Sequence, residues 1–269
     1  MIKTKKSVFL CQPSFNRPII FCFHHAGGNS RAYQKWLCND KVDFIPAELP
    51  GHGIRINEPF SKNIDDLSRQ FAEAIAETVI TGNNIEFSLF GHSLGAIIAF
   101  NVACILKKYN ISPVCLQVAG RHAPQDDDPS SYNTSMGKEA LVEEIISYGY
   151  TPKELIENEE YRNFIVPVMF SDYALGESFR YNNQNISVPV LAYYGRNDTG
   201  ADKNVMKHWK YITTDKFNIK GFDGDHFFLL DKDNNFPDIL ADDMLEFTKN
   251  TKSDITAFQK TVRYERGMI

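Results

Sequence analysis

Residues Ile85 to Tyr109 read IEFSLFGHSLGAIIAFNVACILKKY, a stretch that holds strand, turn and helix signals in succession. Its beginning is a short apolar run that predicts a buried strand, and the run from Leu94 to about Tyr109 predicts a helix. Between them lies Gly91 to Gly95, a G-x-S-x-G motif. A serine at such a strand-to-helix turn sits in a strained conformation, which small neighbours permit by letting the two backbones approach closely. We therefore interpret Ser93 as a candidate nucleophile rather than as part of a structural turn.

The rest of the chain alternates short apolar runs with helical patterns, which is typical of a mostly parallel sheet covered by helices on both faces. The clearest helix runs from Ile64 to Ile80, with apolar residues every three or four positions and Asn63 as its cap. A last helix is expected at Asn235 to Lys249. The candidate strands are Val8–Cys11, Pro18–Phe23, Val42–Ala47, Ile85–Phe90, Val114–Ala119, Val190–Tyr194 and Phe217–Phe222. The fold class is thus α/β.

The alternation stops between about Gln125 and Ser187, where the sequence favours helices instead. These are expected at Lys138–Tyr148, Pro152–Asn158 and Tyr161–Phe179. An interruption between two core strands predicts a helical lid above the sheet, although ordinary crossover helices are the alternative. The interval is rich in large apolar residues, and we expect Met169 and Phe170 to bind substrate. The alternative is that they only pack the lid onto the sheet.

Composition and charge exclude several classes of protein. The chain has 269 residues, of which 43% are hydrophobic and 23% charged, as expected for one globular domain over residues 1–269. The net charge is −5, and no dense basic cluster lies beyond Lys3 to Lys6, so we expect no nucleic-acid partner. The N-terminus carries neither a signal-peptide core nor a membrane span, and the five cysteines are scattered; both observations favour a reduced, cytoplasmic setting. The tail from Asn250 to Ile269 reads as a loose extension or a surface helix.

A nucleophilic serine needs a general base and a third group that orients the base. After a G-x-S-x-G turn of this kind the acid comes next in the chain and the histidine last. His226 lies in the loop after the last candidate strand, and Asp198 follows the strand Val190–Tyr194. Competing acids are Asp202, Asp223 and Asp225, of which the last two lie too close in sequence to His226 for a good bond to its ring. We expect Ser93, Asp198 and His226 to form a catalytic triad.

An oxyanion hole needs two backbone N–H donors, one of which comes from the residue after the nucleophile. Leu94 supplies this donor by position. The second is expected from the loop His24-His25-Ala26-Gly27-Gly28, with Ala26 as first choice and His25 as the alternative. His25 is also a candidate substrate contact. Neighbouring histidines on an extended segment point to opposite sides, and no cysteine or carboxylate cluster accompanies them, so we expect no metal and no other cofactor.

These residues resemble the type II, or external, thioesterases that accompany nonribosomal peptide and polyketide synthases. The matching stretches are FHHAGGNSRAYQKW at Phe23–Trp36, ELPGHGIR at Glu48–Arg55, FGHSLGA at Phe90–Ala96, VAGRHAP at Val118–Pro124, VPVMFSDY at Val166–Tyr173, YYGRND at Tyr193–Asp198 and GDHFFL at Gly224–Leu229. They stand in the family's order and cover most of the chain from Pro18 to Phe247. The resemblance implies an α/β-hydrolase fold with a helical lid at about residues 125–187.

The resemblance also implies an activity and a partner. It implies hydrolysis of acyl thioesters on the phosphopantetheine arm of acyl or peptidyl carrier domains, which would clear stalled or mis-primed acyl groups. We expect such an enzyme to act as a monomer away from membranes. A carboxylester hydrolase or an acyltransferase is the alternative on the same fold, since a fold does not set the leaving group or the acceptor. A non-catalytic interaction protein is a further alternative, which the complete triad disfavours.

Overall fold

A computed structural model describes residues 7–128, 130, 132–148 and 151–248. Six parallel strands form one sheet in the order β2-β1-β3-β4-β5-β6. The strands are β1 (Ile19–Phe23), β2 (Asp43–Pro46), β3 (Phe87–His92), β4 (Leu116–Ala119), β5 (Val190–Gly195) and β6 (Phe217–Phe222). The helices are α1 (Ile64–Thr81), α2 (Leu94–Lys108), α3 (Gly137–Tyr148), α4 (Lys153–Glu157), α5 (Glu159–Glu177), α6 (Lys203–Met206) and α7 (236–248). The predicted α/β class and its mostly parallel sheet are confirmed.

Both faces of the sheet are covered, as the uninterrupted apolar runs of its strands require. Along β1, Ile19 and Phe21 point into the core beneath α1 and α2, whereas Ile20 and Cys22 point into a second core on the other face. That second core is closed by α7 and by a 3₁₀ helix at Ser30–Cys38. Every residue of β1 is fully buried. The sheet is therefore the rigid centre from which the loops at its carboxyl edge extend.

Two helices flank the predicted nucleophile, and local sequence explains both. The side chain of Asn63 accepts hydrogen bonds from the amides of Asp65 and Asp66, so it caps α1 as the sequence predicts. Helix α2 is apolar almost all round and is buried along most of its length. It starts at Leu94, directly after β3, so the strand and the helix hold Ser93 between them.

The chain departs from the sequence prediction near its start. Val8–Cys11 does not form a sheet strand: Phe9 makes one isolated antiparallel bridge to Ala47, and the Leu10 amide donates to the Pro46 carbonyl. The prediction was wrong because a short apolar run also suits a segment that covers the edge strand β2. The predicted last helix begins at residue 236, after Asn235 in a left-handed conformation. The tail Asn250–Ile269 lies outside the described residues.

The interval between β4 and β5 holds α3, α4 and α5, with no strand among its described residues. These helices share a small apolar core of their own, formed by Tyr132, Leu141, Val142, Ile145, Ile156, Ile165 and Val166. We call this three-helix unit the lid. Within the described ranges, no helix is both long and apolar enough to cross a lipid bilayer. The single domain predicted over residues 1–269 extends beyond the described residues and stays a prediction.

Candidate active site

Ser93 occupies the tight turn between β3 and α2. Its backbone has φ 55° and ψ −118°, a positive-φ conformation that residues other than glycine rarely adopt. A side chain at Gly91 would overlap the Gly95 carbonyl, and one at Gly95 would overlap the Phe23 carbonyl of β1. The two glycines thus let strand and helix close around the serine. The strain at Ser93 is consistent with a functional turn.

Asp198 and His226 are hydrogen-bonded at the carboxyl edge of the sheet, in the loops after β5 and β6. The distance from His226 Nδ1 to Asp198 Oδ2 is 2.8 Å, and the Asp198 side chain is almost fully buried. Its other oxygen accepts from the amides of Gly200 and Ala201 at 3.0 and 3.1 Å. Burial opposes ionisation of Asp198, but the His226 bond and the two amides outweigh it and lower the pKa of the carboxyl.

The competing carboxylates are engaged elsewhere. Asp202 accepts from the Val205 amide at the start of α6, Asp225 accepts from the Phe227 amide, and Asp223 pairs with Arg196. None of these contacts involves His226. The geometry therefore favours Asp198 as the orienting acid.

The loop from His24 to Gly28 follows β1 and faces Ser93. Ala26 and Leu94, the predicted oxyanion donors, line the same cavity as Ser93. Gly27 has φ +74°, and the Met169 side chain of the lid lies so near that an added Cβ at Gly27 would be 2.7 Å from Met169 Cγ. The oxyanion loop, as we name residues 24–28, is therefore packed directly against the lid.

Three imidazoles of the site, those of His25, His92 and His226, lie close together. The His25 and His92 ring centroids are 5.2 Å apart, and those of His92 and His226 are 4.8 Å apart. Burial, then the nearby His24 and His226, lowers the pKa of His25 to about 3, and burial also lowers the pKa of His92 well below its ordinary value. Both rings are neutral at physiological pH. His92 Nε2 lies 2.9 Å from the His226 carbonyl oxygen, to which it donates in that state.

A cavity of about 900 Å³ separates the lid from the sheet edge. It has the size and mixed lining of a small-molecule site. Ser93, His226, Asp198 and His25 line it from the sheet side. From the lid it is lined by, among others, Tyr132, Ile145, Tyr161, Ile165, Met169, Asp172, Tyr173 and Glu177.

The two predicted lid contacts differ in position. Met169 lines the cavity, whereas Phe170 is not among the described residues that do so. Both residues pack against the lid's own apolar core, and Lys138 Nζ lies 5.7 Å from the Phe170 ring centroid. Successive residues of a helix point about 100° apart, so Met169 reaches the cavity as well as this core. Substrate contact by either residue stays a prediction.

Sequence reasoning missed two buried polar residues of the site. Asp172 of α5 lines the cavity, accepts from the Gly27 amide at 2.7 Å and lies 3.0 Å from His52 Nε2. Asp172 stands inside the quoted VPVMFSDY stretch and His52 inside ELPGHGIR. The available signal was an aspartate within the mostly apolar run of α5, because such a group needs a partner if the helix buries it.

The fold and the site together define an α/β-hydrolase with a serine at the strand-to-helix turn and a helical lid. The thioesterase domain family model matches residues 18–246. The gramicidin S biosynthesis protein GrsT of Aneurinibacillus migulanus is 31% identical over 214 residues, which cover 78% of this chain and 82% of GrsT.

Two solved structures extend the comparison. RedJ, a thioesterase from the prodiginine pathway of Streptomyces coelicolor, is 27% identical with a TM-score of 0.72, and the match covers 86% of each chain. YbtT, a type II thioesterase from the yersiniabactin pathway, is 22% identical with a TM-score of 0.79 over 90% of this chain and 99% of its own, which supports the fold. The chain belongs to the thioesterase family and is a hydrolase of acyl thioesters. The resemblance to type II thioesterases is confirmed.

Proposed function

We propose that the enzyme hydrolyses acyl thioesters presented on the phosphopantetheine arm of acyl or peptidyl carrier domains, and so clears stalled or mis-primed acyl groups during nonribosomal peptide or polyketide synthesis. One observation carries the proposal: a strained serine and a buried Asp–His pair face one lid-covered cavity. Three relatives support it by name: GrsT is a gramicidin S biosynthesis protein, RedJ is a thioesterase from the prodiginine pathway, and YbtT is a type II thioesterase from the yersiniabactin nonribosomal peptide and polyketide pathway.

The proposed reaction has two halves. In the first, His226 takes the proton of Ser93 Oγ as the oxygen attacks the thioester carbonyl, and Asp198 stabilises the resulting imidazolium. The oxyanion accepts hydrogen bonds from the Ala26 and Leu94 amides. Collapse of this intermediate breaks the carbon–sulfur bond, and the proton passes from His226 to the departing thiolate.

The second half releases the acyl group. His226 takes a proton from water as the water oxygen attacks the acyl-serine ester, and the proton then returns to Ser93 Oγ as the carboxylic acid leaves. His226 is neutral at the beginning and the end of each half, because every proton that it takes up is released again in the same half. Of the described residues, no set of three or more His, Cys, Asp or Glu side chains is arranged to hold a metal ion.

The cavity beneath the lid supports the choice of an acyl substrate. The cavity has an apolar wall from Ile145, Ile165 and Met169 beside polar groups near Ser93, which suits an acyl chain whose thioester end is polar. The carrier partner, the monomeric state and a cytoplasmic location belong to this proposal.

The test compares acyl groups on a phosphopantetheine-bearing carrier domain with the same acyl groups as short free thioesters and as oxygen esters. We expect hydrolysis to be fastest from the carrier domain and to vanish in Ser93→Ala with the fold retained, as circular dichroism would show. A preference for oxygen esters would favour the carboxylester alternative, and transfer to an added alcohol or amine in place of water would favour an acyltransferase. Unchanged turnover by Ser93→Ala would remove Ser93 as nucleophile.

A further inference from the structure

A buried ion pair joins the lid to the loop that contains His52. His52 Nε2 lies 3.0 Å from Asp172 Oδ2, and the side chains are only 2% and 3% exposed. The same Asp172 oxygen accepts the Gly27 amide hydrogen at 2.7 Å. One carboxylate oxygen of helix α5 therefore holds both the oxyanion loop and the loop that contains His52.

His52 is surrounded by groups that favour its protonated form. Its Nδ1 lies 3.0 Å from the Pro50 carbonyl oxygen, which can only accept, while Nε2 faces the Asp172 carboxylate. Only an imidazolium donates to both acceptors. Burial alone would lower the pKa of His52, but Asp172, the Pro50 carbonyl and the charge of Glu48 outweigh it and raise the pKa above its ordinary value.

The titratable groups that face His52 come from three segments. Asp172 belongs to the lid, Glu48 follows β2, and His24 belongs to the oxyanion loop, with its ring centroid 5.4 Å from that of His52. The Glu48 carboxylate accepts from Ser30 Oγ at 2.7 Å and from the Ser30 amide at 3.0 Å. Glu48 is thus tied to Ser30, and Asp172 is the group bonded directly to the His52 ring.

The position of the pair suggests what it does. Gly27 follows Ala26 directly, so the bond from the Gly27 amide to Asp172 helps to fix the peptide that carries the predicted oxyanion donor. Asp172 also lines the cavity, where an unpaired negative charge would oppose the negative charge that develops on the substrate oxygen. A protonated His52 offsets that charge.

We propose that His52 and Asp172 are positioning residues of the hydrolysis: their ion pair fixes the oxyanion loop and neutralises the Asp172 carboxylate, so that turnover declines at alkaline pH when His52 loses its proton. The inference rests on the proposed catalytic roles of Ser93, Ala26 and His226. According to this inference, the Asp172 carboxylate supports the chemical step by holding the oxyanion loop, and it does not serve to bind the acyl chain.

The experiment measures kcat and KM for one short free acyl thioester from about pH 6 to about pH 10. This range starts near the ordinary pKa of histidine and extends well above it, so it covers the loss of a proton from a histidine whose pKa is raised. The variants are His52→Gln, His52→Arg and Asp172→Asn. His208→Gln is the matched control, since His208 forms a 2.8 Å pair with Asp126 on a partly exposed surface. Thermal unfolding of each variant is recorded beside the kinetics.

We expect His52→Gln and Asp172→Asn to lower kcat by about tenfold to a hundredfold, short of the loss of a whole oxyanion donor, with KM little changed. His52→Arg keeps a permanent positive charge and should restore most of kcat. It should also abolish the alkaline decline, which no purely structural role predicts. His208→Gln should match the wild type throughout.

Wild-type kcat in His52→Gln, or an unchanged alkaline decline in His52→Arg, would overturn the proposal. So would losses of kcat that follow the loss of thermal stability across all four variants. These outcomes are distinct from a failure of the proposed function, because that failure would show as turnover retained by Ser93→Ala. An inactive Ser93→Ala together with wild-type-like His52 variants would reject only the positioning role.

Discussion

Replacing Asp198 by asparagine tests the proposed triad, since the change keeps the shape of the side chain and removes its charge. Asp198 Oδ1 accepts from the Gly200 and Ala201 amides, and Oδ2 accepts from His226 Nδ1. In Asp198→Asn the new amide oxygen is retained by the two backbone donors, so the new NH₂ group faces the imidazole. His226 Nδ1 must then accept a hydrogen bond, and its proton moves to Nε2.

An imidazole that carries its proton on Nε2 cannot take the proton of Ser93. Loss of the correct tautomer in this way lowers kcat by about 10⁴, which corresponds to about 5 kcal/mol of activation free energy. Stability should change far less, by about 1–3 kcal/mol, because one buried charge-assisted bond becomes a weaker one. The expected signature is an inactive enzyme that still folds.

The assay follows thiol release from an acyl thioester, with thermal unfolding measured on the same preparations. Asp202→Asn and Asp225→Asn are the controls, since those carboxylates bond to backbone amides and not to His226. Both controls should keep more than about a tenth of the wild-type rate. Near-wild-type turnover by Asp198→Asn, or a larger loss in either control, would refute the assignment of the acid.

Two further predictions follow from buried contacts. Burial opposes ionisation of Glu48, but the nearby His24 ring and the bonds from Ser30 outweigh it and lower the pKa of the carboxyl. The stability that ionised Glu48 contributes is complete above the ordinary pKa of a glutamate and is lost as the pH falls through the lowered pKa. Acid unfolding should therefore show a shallower pH dependence in Glu48→Gln, which should also be about 1–3 kcal/mol less stable at neutral pH by chemical denaturation. Met169→Trp should narrow the cavity and lower kcat/KM for long acyl chains about tenfold relative to short ones. The control Phe164→Trp, at an exposed position of α5, should leave this ratio unchanged. Equal chain-length profiles for the two variants would contradict a pocket role for Met169.

The sequence predicts the sheet and the positions of the loops that carry Ser93, Asp198 and His226, because both depend on local patterns. The run from Ile85 to Tyr109 contains its own strand, turn and helix signals, and the structure returns β3, the turn at Ser93 and α2. The proximity of Asp198 to His226 was also predictable, since the carboxyl ends of parallel strands meet at one edge of a sheet. Their 2.8 Å contact follows from the pairing of β5 with β6.

What the sequence could not supply is the rotation of each lid helix and its contacts across long distances in the chain. Helix α5 is apolar on several sides, so its pattern does not distinguish Met169, which lines the cavity, from Phe170. The contact between His52 and Asp172 joins residues 120 positions apart, and no local pattern indicates it. Pairings of this kind depend on how a helical insertion docks, which is a tertiary property.

The contact of Gly27 with Met169 has a consequence for engineering. A lid transplanted from another thioesterase would need a side chain at the position of Met169 that fits closely against Gly27. It would also need a partner for His52, which lies in a separate loop of the recipient. Chimeras intended to change chain-length preference should therefore exchange residues 24–28, the loop around His52 and helix α5 as one module.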